Sequence, residues 1–162
     1  MFNVATSYFY QVRFFKPYMI PLSTAIFDPK WYHANKGNDF TFVNQQGVIN
    51  GLRINPLRPP EECETLCRGP EVCATRNPKE CEFLTKYYEH LCHMDFAEFI
   101  VTLDKYAEGL RKKLKFAGTP LFVFLFHEKP DNPCSERRAV MKWFEENEFP
   151  LQELFYPVEM YY

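Results

Sequence analysis

Between residues 127 and 137 the chain reads His127-Glu128-Lys129-Pro130-Asp131-Asn132-Pro133-Cys134-Ser135-Glu136-Arg137, a carboxyl, an imidazole, a thiol, a hydroxyl and a guanidinium in close succession. Glu128 is suited to general acid or base work, a role His127 could share. Asn132 followed by Pro133 has the form of a helix cap and first-turn proline, which predicts a helix from Asn132 to about Asn147. Cys134 and Ser135 would then lie in the first turn among unpaired backbone N–H groups, where a thiol pKa falls and phosphate is attracted. Arg137, one turn after Cys134, suits a bidentate clamp on phosphate or carboxylate. The plain alternatives are a solvated arginine, a packed cysteine and a surface Glu128–Lys129 pair. The spacing Cys134-x-x-Arg137 also falls short of a cysteine-phosphatase loop, whose arginine closes a longer cradle.

A second group of chemistry-bearing residues is Cys63, Cys67, Cys73 and Cys81, spaced C-x3-C-x5-C-x7-C and holding four of the six cysteines within 19 residues. Four thiolates satisfy tetrahedral Zn²⁺ or an iron–sulfur cluster, so these residues are candidate metal ligands. The short C-x2-C pairs common in such sites are absent, and buried inert thiols or disulfides are the alternatives. The chain opens Met1-Phe2-Asn3-Val4-Ala5-Thr6-Ser7, without the basic and apolar pattern of a secretory leader. Its longest apolar run, Pro120 to Phe126, is too short to span a bilayer. Together these point to the cytoplasm and to reduced or metal-bound cysteines, with no membrane partner.

These residues need a scaffold. Residues 2–7 predict a first strand, Tyr8–Phe15 a short helix, and Tyr18–Leu22 a second strand that leaves through Ser23-Thr24. Asp95-Phe96-Ala97-Glu98 matches a capping box, and apolar residues then recur at 96, 99, 100, 103, 107, 110 and 114. Gly118 ends that helix. Leu121–Phe126 is uniformly apolar and predicts a strand buried on both faces of a parallel sheet. A final strand follows over Leu151–Val158. The sum is one α/β domain over 1–162, small and layered, with a mostly parallel, Rossmann-like sheet. An irregular, Cys-rich loop insertion is expected at about 28–94, with its metal-binding segment at 63–81 and a tight turn at Asn50-Gly51.

The carboxyl ends of the strands in such a sheet are where ligands bind. They carry Thr6, Ser7 and Tyr8, then Ser23, then the 127–137 segment. Aromatic residues make up 18% of the chain, with 17 Phe and 10 Tyr, and Phe27, Trp31, Tyr32, Phe40 and Phe42 fall in the loop-rich region beside that edge. Trp31 or Tyr32 could stack on a base. A net charge of −2 excludes a general polycation and argues against wrapping of extended DNA. A local patch of Arg111, Lys112, Lys113 and Lys115 is more simply a solvated helix end.

Thr6-Ser7-Tyr8-Phe9, Ile20-Pro21-Leu22-Ser23 and the closing segment from Phe124 through Glu128-Lys129 to Cys134 and Arg137 resemble the motifs of the bacterial and phage family called domain of unknown function 488. A Cys-rich branch of that family is similar over Asp28-Pro29-Lys30-Trp31, Gly47 to Arg53, and Leu66-Cys67-Arg68-Gly69-Pro70. Where the commonest family pattern has a Cys-His-Arg triplet, this chain has Cys134, Ser135, Glu136 and Arg137. The resemblance implies a compact α/β protein with a polar pocket and a link to nucleotide or nucleic-acid processing. The expected function is an enzyme acting on a nucleotide, nucleoside or nucleic-acid base, by hydrolysis or glycosidase-like chemistry. Glu128, Cys134 and Ser7 are its candidate catalytic residues. Thr6, Tyr8, Ser23, Trp31, Arg53, Asn132, Ser135 and Arg137 are its candidate ligand-binding residues, with a phosphate at the Asn132 helix start. The alternative is a non-enzymatic nucleic-acid- or protein-binding module stapled by a Cys-ligated metal.

Overall fold

The computed structural model describes residues 1–34, 43–66, 77–114 and 117–156. Its centre is β3, Leu121–Phe126, whose residues are buried from Phe122 onward. Period-two alternation splits this strand between two cores. Phe122, Phe124 and Phe126 join the larger cluster, and Val123 and Leu125 join the smaller. A strand buried on both faces belongs in the middle of a parallel sheet, and β3 lies between β1 (Asn3–Tyr8) and β2 (Met19–Ser23). The sheet has four strands in the order β2-β3-β1-β4, and β4 is only Gln152–Glu153. All three pairings are parallel, and the register sets Tyr8 opposite Phe126 and Ser23 opposite Leu125. The carboxyl ends of β1, β2 and β3 therefore finish at one edge. Pro21, which lacks an amide hydrogen, is tolerated because β2 is the outer strand over most of its length.

Three helices contribute to the larger core: α1 (Glu82–Cys92), α2 (Phe96–Leu114) and α3 (Arg137–Glu146). The Asp95 carboxylate accepts a hydrogen bond from the Glu98 amide at 3.1 Å, so the expected cap starts α2. Phe99, Leu103, Ala107 and Leu110 form its buried stripe. After it, Gly118 takes φ 134°, a conformation that side chains resist. The smaller core packs Phe9, Val12, Phe15 and Tyr32 against the opposite sheet face. The segment after β1 is a 3-10 helix over Phe9–Phe14.

Several expectations needed correction. The insertion at 28–94 is not irregular throughout, because Phe83, Leu84, Tyr87 and Leu91 give α1 a buried face. The turn in that region is not at Asn50-Gly51. It spans Asn44–Gly47, where the Asn44 side chain accepts from the Gln46 and Val48 amides and Gly47 takes φ 81°. The last strand has two residues instead of eight, and its expected end at Val158 lies outside the described residues, as do Phe40 and Phe42. The short helix-like start predicted at Asn132 is displaced to Arg137, as detailed below. Among the described residues, no helix is long and apolar enough to cross a membrane.

Phe144 meets the rings of Phe96, Phe99, Phe124, Trp143 and Phe149 at centroid distances of 5.0, 6.0, 5.8, 5.6 and 5.5 Å. It joins α3 and α2 to β3, so its loss leaves a cavity that three elements border. Phe144→Ala is expected to lower unfolding free energy by about 3–5 kcal/mol, read from urea midpoints.

Candidate functional site

At the carboxyl edge of the sheet the structure centres on Arg137, which is 2% exposed. Its Nη1 donates to the Glu128 carbonyl at 2.5 Å and to Ser135 Oγ at 3.2 Å. Its Nη2 donates to the Ser7 carbonyl at 3.1 Å and lies 2.9 Å from Glu153 Oε1. Glu153 also accepts a short hydrogen bond from Thr6 Oγ1. The Ser7 hydroxyl donates to the Leu154 carbonyl at 2.7 Å, and the Leu154 amide donates to the Thr6 carbonyl at 2.7 Å. One guanidinium thus joins β1, the exit of β3, the start of α3 and β4. Burial lowers the Arg137 pKa, against the opposing charges of Glu153 and Glu128. Burial likewise raises the Glu153 carboxyl, while the hydrogen bond from Thr6 and the charge of Arg137 oppose that shift.

Beside this hub stand two more carboxyls. Ser135 Oγ donates to Glu128 Oε2 at 3.4 Å. Glu136, immediately before α3, is pushed up from 4.5 to about 8, first by burial and then by the Glu128 charge, with Arg137 opposing. Its charge also adds, after burial, to the raised pKa values of Cys63 and of Tyr87 on α1. Sequence reasoning passed over Glu136 as a spacer. Its only linear signal is membership of the 127–137 polar run, and spacing does not reveal that it turns inward.

On the other side of β3 lies a second polar cluster. Arg53 forms an ion pair with the buried Asp28, and Ser23 Oγ donates to the same Asp28 oxygen. Arg53 also donates to Ser23 Oγ at 3.4 Å and to the Ala25 carbonyl. The Ser23 amide donates to the Leu52 carbonyl and the Ile54 amide to the Ser23 carbonyl, so the segment carrying Arg53 continues the sheet beyond β2. Asp28 is the second residue that sequence reasoning missed, since Asp28-Pro29 reads as a loop. Tyr32 is not a stacking platform, because its ring is fully buried and its hydroxyl donates to the Leu52 carbonyl at 2.6 Å. Phe27 and Trp31, 73% and 49% exposed, do present apolar surface here. His127 Nε2 lies 2.5 Å from the Phe27 carbonyl oxygen, and its ring is 4.9 Å from Phe9. The Tyr8 ring stacks with Tyr10 and with Phe155, and its hydroxyl accepts from Gln11.

The structure therefore gathers Thr6, Ser7, Glu128, Ser135 and Arg137 in one network and Ser23 and Arg53 in another. Asn132 is not the cap of α3. Its Oδ1 accepts from the Cys134 amide at 2.9 Å, and its carbonyl accepts from the Ser135 amide at 3.3 Å, so it closes a turn. The Arg137, Arg138 and Ala139 amides are bonded to Ser135 Oγ, the Ser135 carbonyl and the Glu136 carbonyl. The backbone donors expected to cradle phosphate are thus engaged, and the half-buried Cys134 packs against the large core outside any helical turn. Arg111 is likewise occupied, donating to Glu108, Gly118 and Met1, and Lys115 lies outside the described residues.

The metal expectation is overturned. Among the described residues no group of three or more His, Cys, Asp and Glu side chains can hold a metal ion. Cys63 is fully buried in the large core, and desolvation raises its pKa, favouring the thiol over the thiolate a metal needs. Cys81 caps α1, its Sγ accepting from the Leu84 amide at 3.5 Å. Cys67 and Cys73 lie outside the described residues, and Cys63, Cys81 and Cys92 are not in disulfides. Away from the sheet edge, a groove of about 410 Å³ runs between α1 and α3, lined by Leu84, Tyr88, Arg138 and Lys142 among others. No known protein family, curated protein or solved structure matches the chain.

Two stability measurements follow from the buried charges. Arg137→Met leaves Glu153 unpaired and is expected to cost about 3–5 kcal/mol, much of it recovered in Arg137→Met/Glu153→Leu. For Glu136 the raised folded pKa means that the native state holds its proton more tightly than the unfolded chain. The stability this gives is complete below about pH 4.5 and is lost as pH rises through about 8. Glu136→Gln, facing Glu128, Arg137, Cys63 and Tyr87 without a titrating proton, is expected to match the native protein at pH 5 and exceed it by about 1–3 kcal/mol at pH 9 in urea melts.

Proposed function

We propose that the chain is a hydrolase or glycosidase-like enzyme acting on a nucleotide, nucleoside or nucleic-acid base at the carboxyl edge of a Rossmann-like sheet. The observation that carries this reading is Glu128 and Glu136 on either side of Ser135, whose Oγ donates to Glu128 Oε2 at 3.4 Å, with the Glu136 carboxyl pushed up to about 8 by burial. Neighbouring carboxyls in unlike environments divide acid and base roles between them. In the proposed reaction Glu128 takes a proton from water as its oxygen bonds to the sugar carbon that bears the base. The carbon–nitrogen bond breaks, its electron pair moves to the base nitrogen, and Glu136 supplies the proton that nitrogen receives. Phe27 and Trp31 offer exposed faces on which a base can stack. Ser7 serves by holding Leu154, and Ser23 with Asp28 fixes Arg53 beside the opposite end of the site.

The motif resemblance to domain of unknown function 488 supports the same reading, and we place the chain beside that family on those motifs alone. The thiols of Cys63, Cys81 and Cys92 accord with a reducing cytoplasm.

The test is base release from a panel of nucleosides and nucleotides, followed by chromatography. Glu128→Gln is expected to lower kcat by about 10²- to 10⁴-fold with the melting temperature held. Trp31→Ala should raise KM more than it lowers kcat, and native activity should fall as pH rises through about 8. A fully active Glu128→Gln variant would remove Glu128 from the mechanism.

A further inference from the structure

The Arg137 guanidinium has five N–H donors, and its environment uses them unevenly. Nη1 spends both of its hydrogens on the Glu128 carbonyl and Ser135 Oγ, and Nη2 spends one on the Ser7 carbonyl. Nε is buried with no hydrogen-bond partner. What remains is the Nε–Nη2 edge, the side of the fork that grips two oxygens of one carboxylate or phosphate. The group facing it is Glu153. Its Oε1 lies 2.9 Å from Nη2, yet that oxygen too is buried without a hydrogen bond. The ion pair therefore has the charge of a bidentate clamp without its hydrogen bonds. Thr6 Oγ1 adds a hydroxyl donor to the other oxygen of the same carboxylate.

A buried arginine edge with an adjoining hydroxyl is the donor set of an oxyanion site, and the anion in it comes from the least anchored strand. β4 has two residues and occupies the sheet edge. The Glu153 side chain is 18% exposed, against 3% for that of Arg137, so it is the more accessible member of the pair. Beyond it the anchors belong to the next residues and not to Glu153: Leu154 bonds Thr6 and Ser7, Tyr156 makes two hydrogen bonds to the Gln11 side chain, and both pack on the smaller core. Moving Glu153 aside gives up a two-residue ladder with Ala5 and Thr6 of β1.

We propose that Arg137 and Thr6 form an oxyanion-binding site that the chain fills with its own Glu153 carboxylate, and that a phosphate-bearing ligand binds by displacing β4. The site stands on its own donors, whether or not the Glu128–Glu136 pair turns over a substrate. No bond is made or broken in the exchange; one anion replaces another.

The experiment is calorimetric titration of inorganic phosphate into the native protein, Glu153→Ala and Glu153→Gln, at constant ionic strength. Both variants are expected to bind phosphate at least about tenfold more tightly than the native protein, since the competing carboxylate is gone, and to melt at higher temperature with phosphate present. Should Glu153→Ala fail to fold in phosphate-free buffer, recovery of its helical circular dichroism on adding phosphate supports the site. Adding Thr6→Val to Glu153→Gln is expected to weaken the gain. The proposal is overturned if neither variant binds phosphate more tightly, if phosphate fails to restore an unfolded variant, or if sodium chloride at matched ionic strength produces the same stabilisation.

Discussion

A guanidinium removed from water must be given partners, and meeting that requirement for Arg137 organises the candidate site. An uncompensated buried charge costs several kcal/mol on the order-of-magnitude scale of buried ions. The protein answers with two main-chain carbonyls, a serine hydroxyl and a carboxylate drawn from four separate segments. Each partner constrains its own segment. The Glu128 carbonyl and Ser135 hold the turn between β3 and α3, the Ser7 carbonyl ties in β1, and Glu153 keeps β4 on the sheet edge. Burial beside the same charges also holds the Glu136 carboxyl well above the usual carboxylate range.

This polar centre is rigid because the sheet beneath it is apolar on both sides. β3 sends its phenylalanines toward the helices and its Val123 and Leu125 toward the other face, so it cannot tilt without opening two cores. Its register with β1 and β2 then fixes how far Ser7, Ser23 and Glu128 lie along the edge. Packing supplies position, and the charges supply the polar network.

Where local pattern and burial agreed, the fold was legible in the residues. β1, β2 and β3, the Asp95 cap and the α2 stripe all stand where alternation, helical period and capping chemistry put them. The misreadings share a cause. Asn132-Pro133 satisfies the rules for a helix start and for a turn equally well, and the Asn132 side chain chose the Cys134 amide. The cysteine spacing drew notice to metal chemistry and away from α1, whose Phe83, Leu84, Tyr87 and Leu91 carry a helical period. Glu136, Asp28 and Glu153 are ordinary acidic residues in sequence. Their meaning comes from tertiary neighbours 8 to over 100 residues away, which no local pattern encodes: Glu136 from Glu128, Asp28 from Arg53, and Glu153 from Thr6.

The claim on which the chemistry rests is that this buried network keeps a proton on Glu136 under conditions where ordinary glutamates have lost theirs. Carbon NMR titration of protein labelled at the glutamate carboxyls tests it directly. The expected result is one carboxyl resonance titrating near pH 8, absent in Glu136→Gln and moved to lower pH in Glu128→Gln, where the neighbouring charge is gone. Titration of every carboxyl resonance below about pH 6, within the usual range for glutamate, would contradict it.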